Sequence, residues 1–149
     1  MVALIHTKTK GNIAETFVLA NLIKEGFTVS IPYGENSRYD LIIETKNGLK
    51  KIQIKYISKR KDRGYYVLPL KSVRANKNRN RIIPYTSDQV DFMIGYCIDN
   101  NSCYIVPMYK LNIKNEIHIW IGKKPTGKNQ FKPTNTEQYK NNWDLLRKP

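Results

Sequence analysis

The sequence has few acidic residues, few cysteines and no long hydrophobic run. Only 12 aspartates and glutamates stand against 26 lysines and arginines in 149 residues, so the formal net charge is +14. Cys97 and Cys103 are too few for a disulfide framework, and neither lies in a metal-ligand cluster with histidine. No apolar run approaches the roughly 20 residues of a membrane-spanning helix. The apolar stretch at residues 2–5 is too short for a signal peptide, so we expect an intracellular protein without a membrane partner.

The sequence does contain enough apolar material for a folded core. About 40% of its residues are hydrophobic and 11% are aromatic, which excludes a disordered basic tail. The length is that of one domain, so residues 1–149 are expected to fold together. A folded protein this basic needs a polyanionic partner, and nucleic acid is the first expectation.

The positive charge is concentrated in the middle of the chain. Residues 46–81 hold 13 of the 26 basic residues and one acid, Asp62. Such a stretch favours contact with a phosphate backbone and a steep loss of binding with salt. The alternative is an ordinary solvated basic surface. Within this stretch, residues 76–81 have no apolar side chain and predict an exposed loop.

The hydrophobic pattern predicts a helix, a mostly antiparallel sheet and a second helix. The first helix covers residues 10–25, with Asn12 as N-cap and Gly26 at its end. The last covers residues 136–147, with Tyr139, Trp143 and Leu146 on one face, and follows a loop at residues 122–137. Strands are predicted at residues 27–31, 39–45, 49–57, 65–70, 92–98, 103–108 and 117–121. This order is typical of an α+β or mixed α/β domain.

Glu15 is the first candidate for chemistry. On the predicted helix it falls between Val18, Leu19 and Leu22, which turns it toward an apolar surface. A carboxylate there must be paired, capped or bound to a cation. Alternatively, Glu15 caps the first turn of the helix through backbone N–H groups.

The hairpin around Asn47-Gly48 carries a second set of candidates. Asn-Gly between two alternating runs is a strong hairpin signal, and alternation brings Asp40, Gln53 and Lys55 to one side near its open end. Hard oxygen donors of this kind suit Mg²⁺, and an ammonium group can stabilise phosphoryl charge or position a water. An Asp–Lys salt bridge on a solvated sheet face is the alternative.

These motifs together resemble a known nuclease superfamily. Tyr39-Asp40, then Gln53-Ile54-Lys55, preceded by a helix that bears Glu15, is similar to the PD-(D/E)XK pattern. Residues 10–15, 32–36 and 139–146 further resemble the small branch that contains the cyanobacterial tRNA-intron homing endonuclease. Two positions depart from the superfamily pattern: Tyr39 replaces a proline, and Gln53 replaces the second acid.

The resemblance implies a restriction-endonuclease-like fold, with a central mixed sheet flanked by helices, and a Mg²⁺-dependent DNA endonuclease of homing or restriction type. It implies a catalytic set of Glu15, Asp40, Gln53 and Lys55. Asp40, Gln53 and Glu15 would hold Mg²⁺, with Mn²⁺ as a substitute, and Lys55 would orient or help deprotonate the attacking water. Backbone contacts to DNA are expected from the segment around residues 58–83 and from the first helix, through Lys10, Lys59, Arg60, Lys61, Arg63, Arg74, Lys77, Arg79 and Arg81.

Several partner and function assignments follow from the same resemblance. Double-stranded DNA is the expected substrate, in the cytoplasm or nucleoid, and no small-molecule cofactor is expected. Cutting two strands favours a homodimer or homotetramer. The alternatives are a Holliday-junction resolvase-like nuclease and a non-catalytic DNA- or RNA-binding protein. The neutral Gln53 leaves the last alternative open.

Overall fold

A five-stranded mixed sheet lies at the centre of the protein. The computed structural model describes residues 4–75, 77–109, 111, 115–122 and 135–149. In chain order its elements are α1 (Thr7–Lys24), β1 (Val29–Ser30), β2 (Leu41–Thr45), β3 (Gly48–Tyr56), β4 (Ser58–Lys59), β5 (Tyr66–Pro69), β6 (Lys71–Ala75), β7 (Asn80–Pro84), β8 (Phe92–Cys97), β9 (Ser102–Pro107), β10 (Glu116–Ile119) and the 3-10 helices η1 (Thr136–Tyr139) and η2 (Trp143–Arg147).

The order of the strands in the main sheet is β1-β2-β3-β8-β9. Only the β3–β8 pair of this sheet is parallel, and a parallel pair requires a long connection. That connection contains β4 and β5 of a three-stranded sheet, β10-β5-β4, and the separate hairpin β6–β7. The expected α+β fold with a central mixed sheet is therefore confirmed.

Two hydrophobic cores cover the two faces of the main sheet. On one face α1 buries Ala14, Val18 and Leu22 together with residues of η2. On the other face the small sheet packs against β8, which is buried along its whole length. Gly95 permits this approach, since a Cβ atom there would lie 2.7 Å from side-chain carbons of both Ile57 and Leu68.

Helix α1 begins earlier than the sequence pattern predicted. It starts at Thr7, and His6 is the N-cap, whose Nδ1 accepts a hydrogen bond from the backbone N–H of Lys8. The prediction of Asn12 as N-cap is therefore wrong. Glu15 lies in the third turn, so its alternative role as a cap of the first turn is wrong as well. The first turn is polar and has no apolar periodicity by which it could be recognised.

The predicted C-terminal α-helix is also wrong. Two 3-10 helices replace it, separated by Asn141 at φ +50°. The Asn141 backbone N–H donates to the Cys103 carbonyl at 2.6 Å, and its Oδ1 accepts the Cys103 N–H at 2.8 Å. These bonds cover the edge of β9, which a continuous helix would leave unpaired. Tyr139 packs against one core, whereas Trp143 and Leu146 belong to the other.

Smaller corrections concern the strands. Residues 80 and 81, predicted as part of a loop, begin β7, and Arg81 lies opposite Arg74 in β6. Strand β3 begins at Gly48, one residue before the predicted start, because Gly48 already pairs with Thr45. Gly48 has a φ of +103°. The predicted strand at residues 27–31 is reduced to Val29–Ser30. Most of the predicted loop at residues 122–137 lies outside the described residues. In the described ranges, no helix is long and apolar enough to cross a membrane.

Candidate active site

Asp40 is held at the open end of the β2–β3 hairpin. It directly precedes β2, where Leu41 pairs with Ile52. Its backbone N–H donates to the Ile52 carbonyl at 2.8 Å, and its Oδ2 accepts the Ile54 N–H at 2.8 Å. The carboxylate is thereby attached to β3 through one oxygen. Among the described residues no hydrogen bond is made to the other oxygen, Oδ1.

The charges of Glu15, Asp40 and Lys55 influence one another. Burial raises the pKa of Asp40, while the Ile54 N–H and the positive charge of Lys55 act in the opposite direction. Burial also raises the pKa of Glu15, and the negative charge of Asp40 raises it further. Helix α1 and the hairpin therefore bring two carboxylates and an ammonium group into one electrostatic neighbourhood.

Glu15 does not point into the apolar surface as the predicted helix suggested. The buried residues of α1 are Ala14, Val18 and Leu22, and the side chain of Glu15 as a whole is exposed. Its loss of water is therefore partial. The side chain lies beside the apolar stripe, where a carboxylate can be close to Asp40 and still reach solvent.

Gln53 is a buried polar residue of the strand next to Asp40. It is 9% exposed, and its Nε2 donates to the Ile54 carbonyl at 3.4 Å. It lies opposite Met93 of β8 and shares its face of β3 with Lys55. A neutral amide at this position avoids burying a further carboxylate beside Asp40, which would be costly without a cation.

Lys55 lies near Asp40 without forming a close ion pair with it. No Asp40–Lys55 contact within 4.0 Å occurs among the ion pairs of the described residues. The alternative of a surface Asp–Lys salt bridge is therefore wrong. The Lys55 Nζ instead lies 5.2 Å from the ring centroid of Tyr85, an arrangement typical of a cation–π contact.

Glu15, Asp40, Gln53 and Lys55 together are called the corner below. Its oxygen donors, from Glu15, Asp40 and Gln53, fit a hard divalent cation. Within the described ranges there is no group of three or more His, Cys, Asp and Glu residues that could hold a metal. Two carboxylates and an amide oxygen nevertheless match the preference of Mg²⁺, which keeps several waters and takes few protein ligands. The repulsion that raises the pKa of Glu15 beside Asp40 is what a bound cation would relieve.

The predicted DNA-contacting residues fall into two groups. Lys77, Arg79 and Arg81 are exposed on the β6–β7 hairpin, and Lys59 and Lys61 are exposed near β4. Arg60 and Arg63 are exposed too, but each faces a carboxylate, Glu116 at 2.9 Å and Asp62 at 3.8 Å. The Nζ of Lys10 lies 5.6 Å from the Tyr56 ring centroid, and Arg74 lies opposite Arg81 in the strand register of the hairpin.

Sequence reasoning missed Arg38 and Tyr85, which lie beside the corner. The Arg38 guanidinium lies 4.2 Å from the Tyr85 ring centroid. It also donates to groups more than 30 residues away along the chain. A single arginine in a loop carries no periodic signal. Its place directly before Tyr39-Asp40 was the one feature of the sequence that could have indicated it.

Comparisons with known proteins identify the family of the chain. The sequence model of the PD-(D/E)XK endonuclease family matches residues 5–143. The chain therefore belongs to the PD-(D/E)XK endonucleases, which confirms the family resemblance and makes it a nuclease by class. It is similar to the solved structure of a bacterial homing endonuclease, I-Ssp6803I, with 29% identity, a TM-score of 0.77 and coverage of 95% of this chain and 93% of the other. No curated protein sequence matches it.

Proposed function

We propose that this protein is a Mg²⁺-dependent DNA endonuclease of homing or restriction type, with residues 1–149 as one nuclease domain. The observation that carries the proposal is the Asp40 carboxylate, which the Ile54 N–H holds at the open end of the β2–β3 hairpin, on the strand next to Gln53 and Lys55. The charge of Asp40 also acts on Glu15 of α1. Family membership and the likeness to a homing endonuclease support it. The formal charge of +14 supports a nucleic-acid substrate. The protein would act on it in the cytoplasm or nucleoid.

Asp40, Gln53 and Glu15 would hold the metal ion, with Mn²⁺ as a substitute for Mg²⁺. When bound there, the ion stabilises the negative charge that develops on the scissile phosphate. Asp40 offers its Oδ1 because its Oδ2 is fixed by the Ile54 N–H. Lys55, which is not held by a close carboxylate, orients the attacking water or helps remove its proton.

The exposed cations would bind the DNA backbone. Lys77, Arg79 and Arg81 extend along the β6–β7 hairpin, and Lys59 and Lys61 provide a second set. The roles proposed for Arg60 and Arg63 are weaker, because each already faces a carboxylate. Binding through such contacts should fall steeply with salt.

A homodimer or homotetramer would supply the two active sites that double-strand cleavage needs. Gel filtration combined with light scattering tests this part of the proposal. A strict monomer that makes full double-strand cuts would contradict it.

The function is tested by incubating the protein with supercoiled plasmid, a four-way junction and a linear duplex. Mg²⁺ should support cleavage, EDTA should abolish it, and Asp40→Asn should abolish it while DNA binding is kept. Preferential cutting of the junction would favour a resolvase. Salt-dependent binding without cleavage in Mg²⁺ or Mn²⁺ would favour a non-catalytic binder, the function to which the neutral Gln53 gives its own support.

A further inference from the structure

Arg38 grips both strands of the β6–β7 hairpin with one side chain. Its Nη1 donates to Ser72 Oγ at 2.7 Å, and its Nη2 to the Ile83 and Pro84 carbonyls at 3.3 and 3.1 Å. Ser72 and Ile83 lie directly opposite each other in the hairpin. A planar guanidinium is suited to such a fork of bonds, whereas a lysine ammonium is not.

The same residue lies next to the catalytic corner. Arg38 is two residues before Asp40, whose carboxylate is bonded to β3. Its guanidinium lies 4.2 Å from the Tyr85 ring centroid, and the Lys55 Nζ lies 5.2 Å from that centroid. Tyr85 is only 9% exposed, so the ring is a fixed surface that both cations share.

A role in direct contact with DNA does not fit Arg38. Four hydrogen bonds to protein acceptors, including one from Nε to Gln89 Oε1 at 3.3 Å, occupy four of its five N–H donors. The side chain is half-buried. Its hydrogen bonds instead connect the exposed, positively charged hairpin to the segment that carries Asp40.

We propose that Arg38 is a positioning residue that sets where the β6–β7 hairpin stands relative to Asp40 and Lys55. This inference rests on the proposed function, because it concerns how the hairpin delivers DNA to the catalytic corner. In a protein without this connection the hairpin still carries its positive charge but no longer presents the phosphate at a fixed distance. A misplacement of about 1 Å costs roughly 100-fold in rate.

A double-mutant cycle in DNA binding tests the coupling. In the wild-type background Arg81→Ala should reduce the salt slope of binding by about 1. In the Arg38→Ala background the same change should have less than half that effect. Lys61→Ala, outside the hairpin, should act equally in both backgrounds. Equal effects of Arg81→Ala in both backgrounds would overturn the proposal.

Cleavage kinetics separate positioning from folding. Arg38→Ala and Arg38→Lys should both lower kcat at saturating DNA by about 10- to 100-fold, with a smaller change in KM. Arg147→Ala removes an arginine that pairs with Glu25 and Asp144 instead and should stay close to wild type. A lower kcat/KM with an unchanged kcat would contradict a positioning role.

Hydrogen exchange gives a readout that needs no DNA. Arg38→Ala should speed amide exchange in β6 and β7 by at least tenfold while β8 stays protected. Unchanged exchange in the hairpin would overturn the inference even if the protein cuts DNA. If exchange in the hairpin is faster in Arg38→Ala but the wild-type protein does not cut DNA, the role of Arg38 in holding the hairpin stands and the proposed function is rejected.

Discussion

Two aspartates flank the central strand β3 and make nearly the same bond to it. Asp40 directly precedes β2, and its Oδ2 accepts the Ile54 N–H at 2.8 Å. Asp91 directly precedes β8 on the other side, and its Oδ2 accepts the Lys51 N–H at 2.7 Å. Each carboxylate thus takes the place of a backbone acceptor at the start of a neighbouring strand.

Their surroundings differ. At Asp40, the positive charge of Lys55 acts to lower the pKa of the carboxyl group. The negative charge of Asp40 in turn adds to the effect of burial in raising the pKa of Glu15. The Asp91 N–H donates to the Lys51 carbonyl, as the Asp40 N–H does to the Ile52 carbonyl, but the Asp91 carbonyl also accepts the Met108 N–H. The same hydrogen bond therefore serves a candidate metal site in one case and the junction of three strands in the other.

Cleavage by matched asparagine variants should separate the two aspartates most strongly. Asparagine keeps an oxygen acceptor for the β3 N–H but removes the charge. Asp40→Asn should lower the rate of Mg²⁺-dependent cleavage by on the order of 1000-fold, because metal stabilisation of charge is worth several kcal/mol. Asp91→Asn should stay within about threefold in the same plasmid assay. Equal losses would remove the distinction between the two sites.

Gly95→Ala tests the packing of β8, the strand that follows Asp91. The added Cβ would lie 2.7 Å from carbons of Ile57 and Leu68, so the free energy of unfolding should fall by about 1–3 kcal/mol. Gly11→Ala is the matched control: it lies in α1 with nothing within 4 Å of the new Cβ and should stabilise by about 0.5–1 kcal/mol. Urea unfolding measures both. A neutral Gly95→Ala would mean that β8 and the small sheet are not closely packed.

Gln53→Glu changes the charge of the candidate metal site at Asp40. A second acid restores the superfamily pattern and adds negative charge beside Asp40. Metal affinity should rise by roughly tenfold, because the added carboxylate attracts the cation and about 1.4 kcal/mol of net attraction corresponds to tenfold in affinity. Mn²⁺ titration followed by calorimetry measures the change, and Gln53→Met is the control that removes the amide oxygen. Unchanged affinity in both variants would exclude Gln53 as a ligand.

The pH dependence of stability gives the smallest effect. Asp40 and Glu15 have pKa values raised above their ordinary 3.8 and 4.5, so the folded state favours their protonated forms. Their contribution to stability is complete below those ordinary values and is lost as pH rises through the folded-state pKa. Without metal, the Tm of Asp40→Asn minus that of wild type should therefore increase as the pH rises from 3 to 7. A decrease over this range would contradict the sign.

The placement of Asp40, Gln53 and Lys55 could be predicted from the sequence because it depends on local features of the chain. A hairpin turn and a period of two bring Asp40, Gln53 and Lys55 to one end of two adjacent strands. The early start of α1 and the β6–β7 hairpin escaped prediction because polar residues there carry no apolar periodicity. The bonds from Asn141 to Cys103 and from Arg38 to Ser72 join distant parts of the chain, and no local pattern encodes them.

The most direct test of the account is calorimetric titration of Mn²⁺ into wild type, Asp40→Asn and Asp91→Asn without DNA. Wild type and Asp91→Asn should bind the ion with similar affinity, and Asp40→Asn should bind it at least tenfold more weakly. Binding by Asp40→Asn at the wild-type affinity would contradict the placement of the metal site at Asp40.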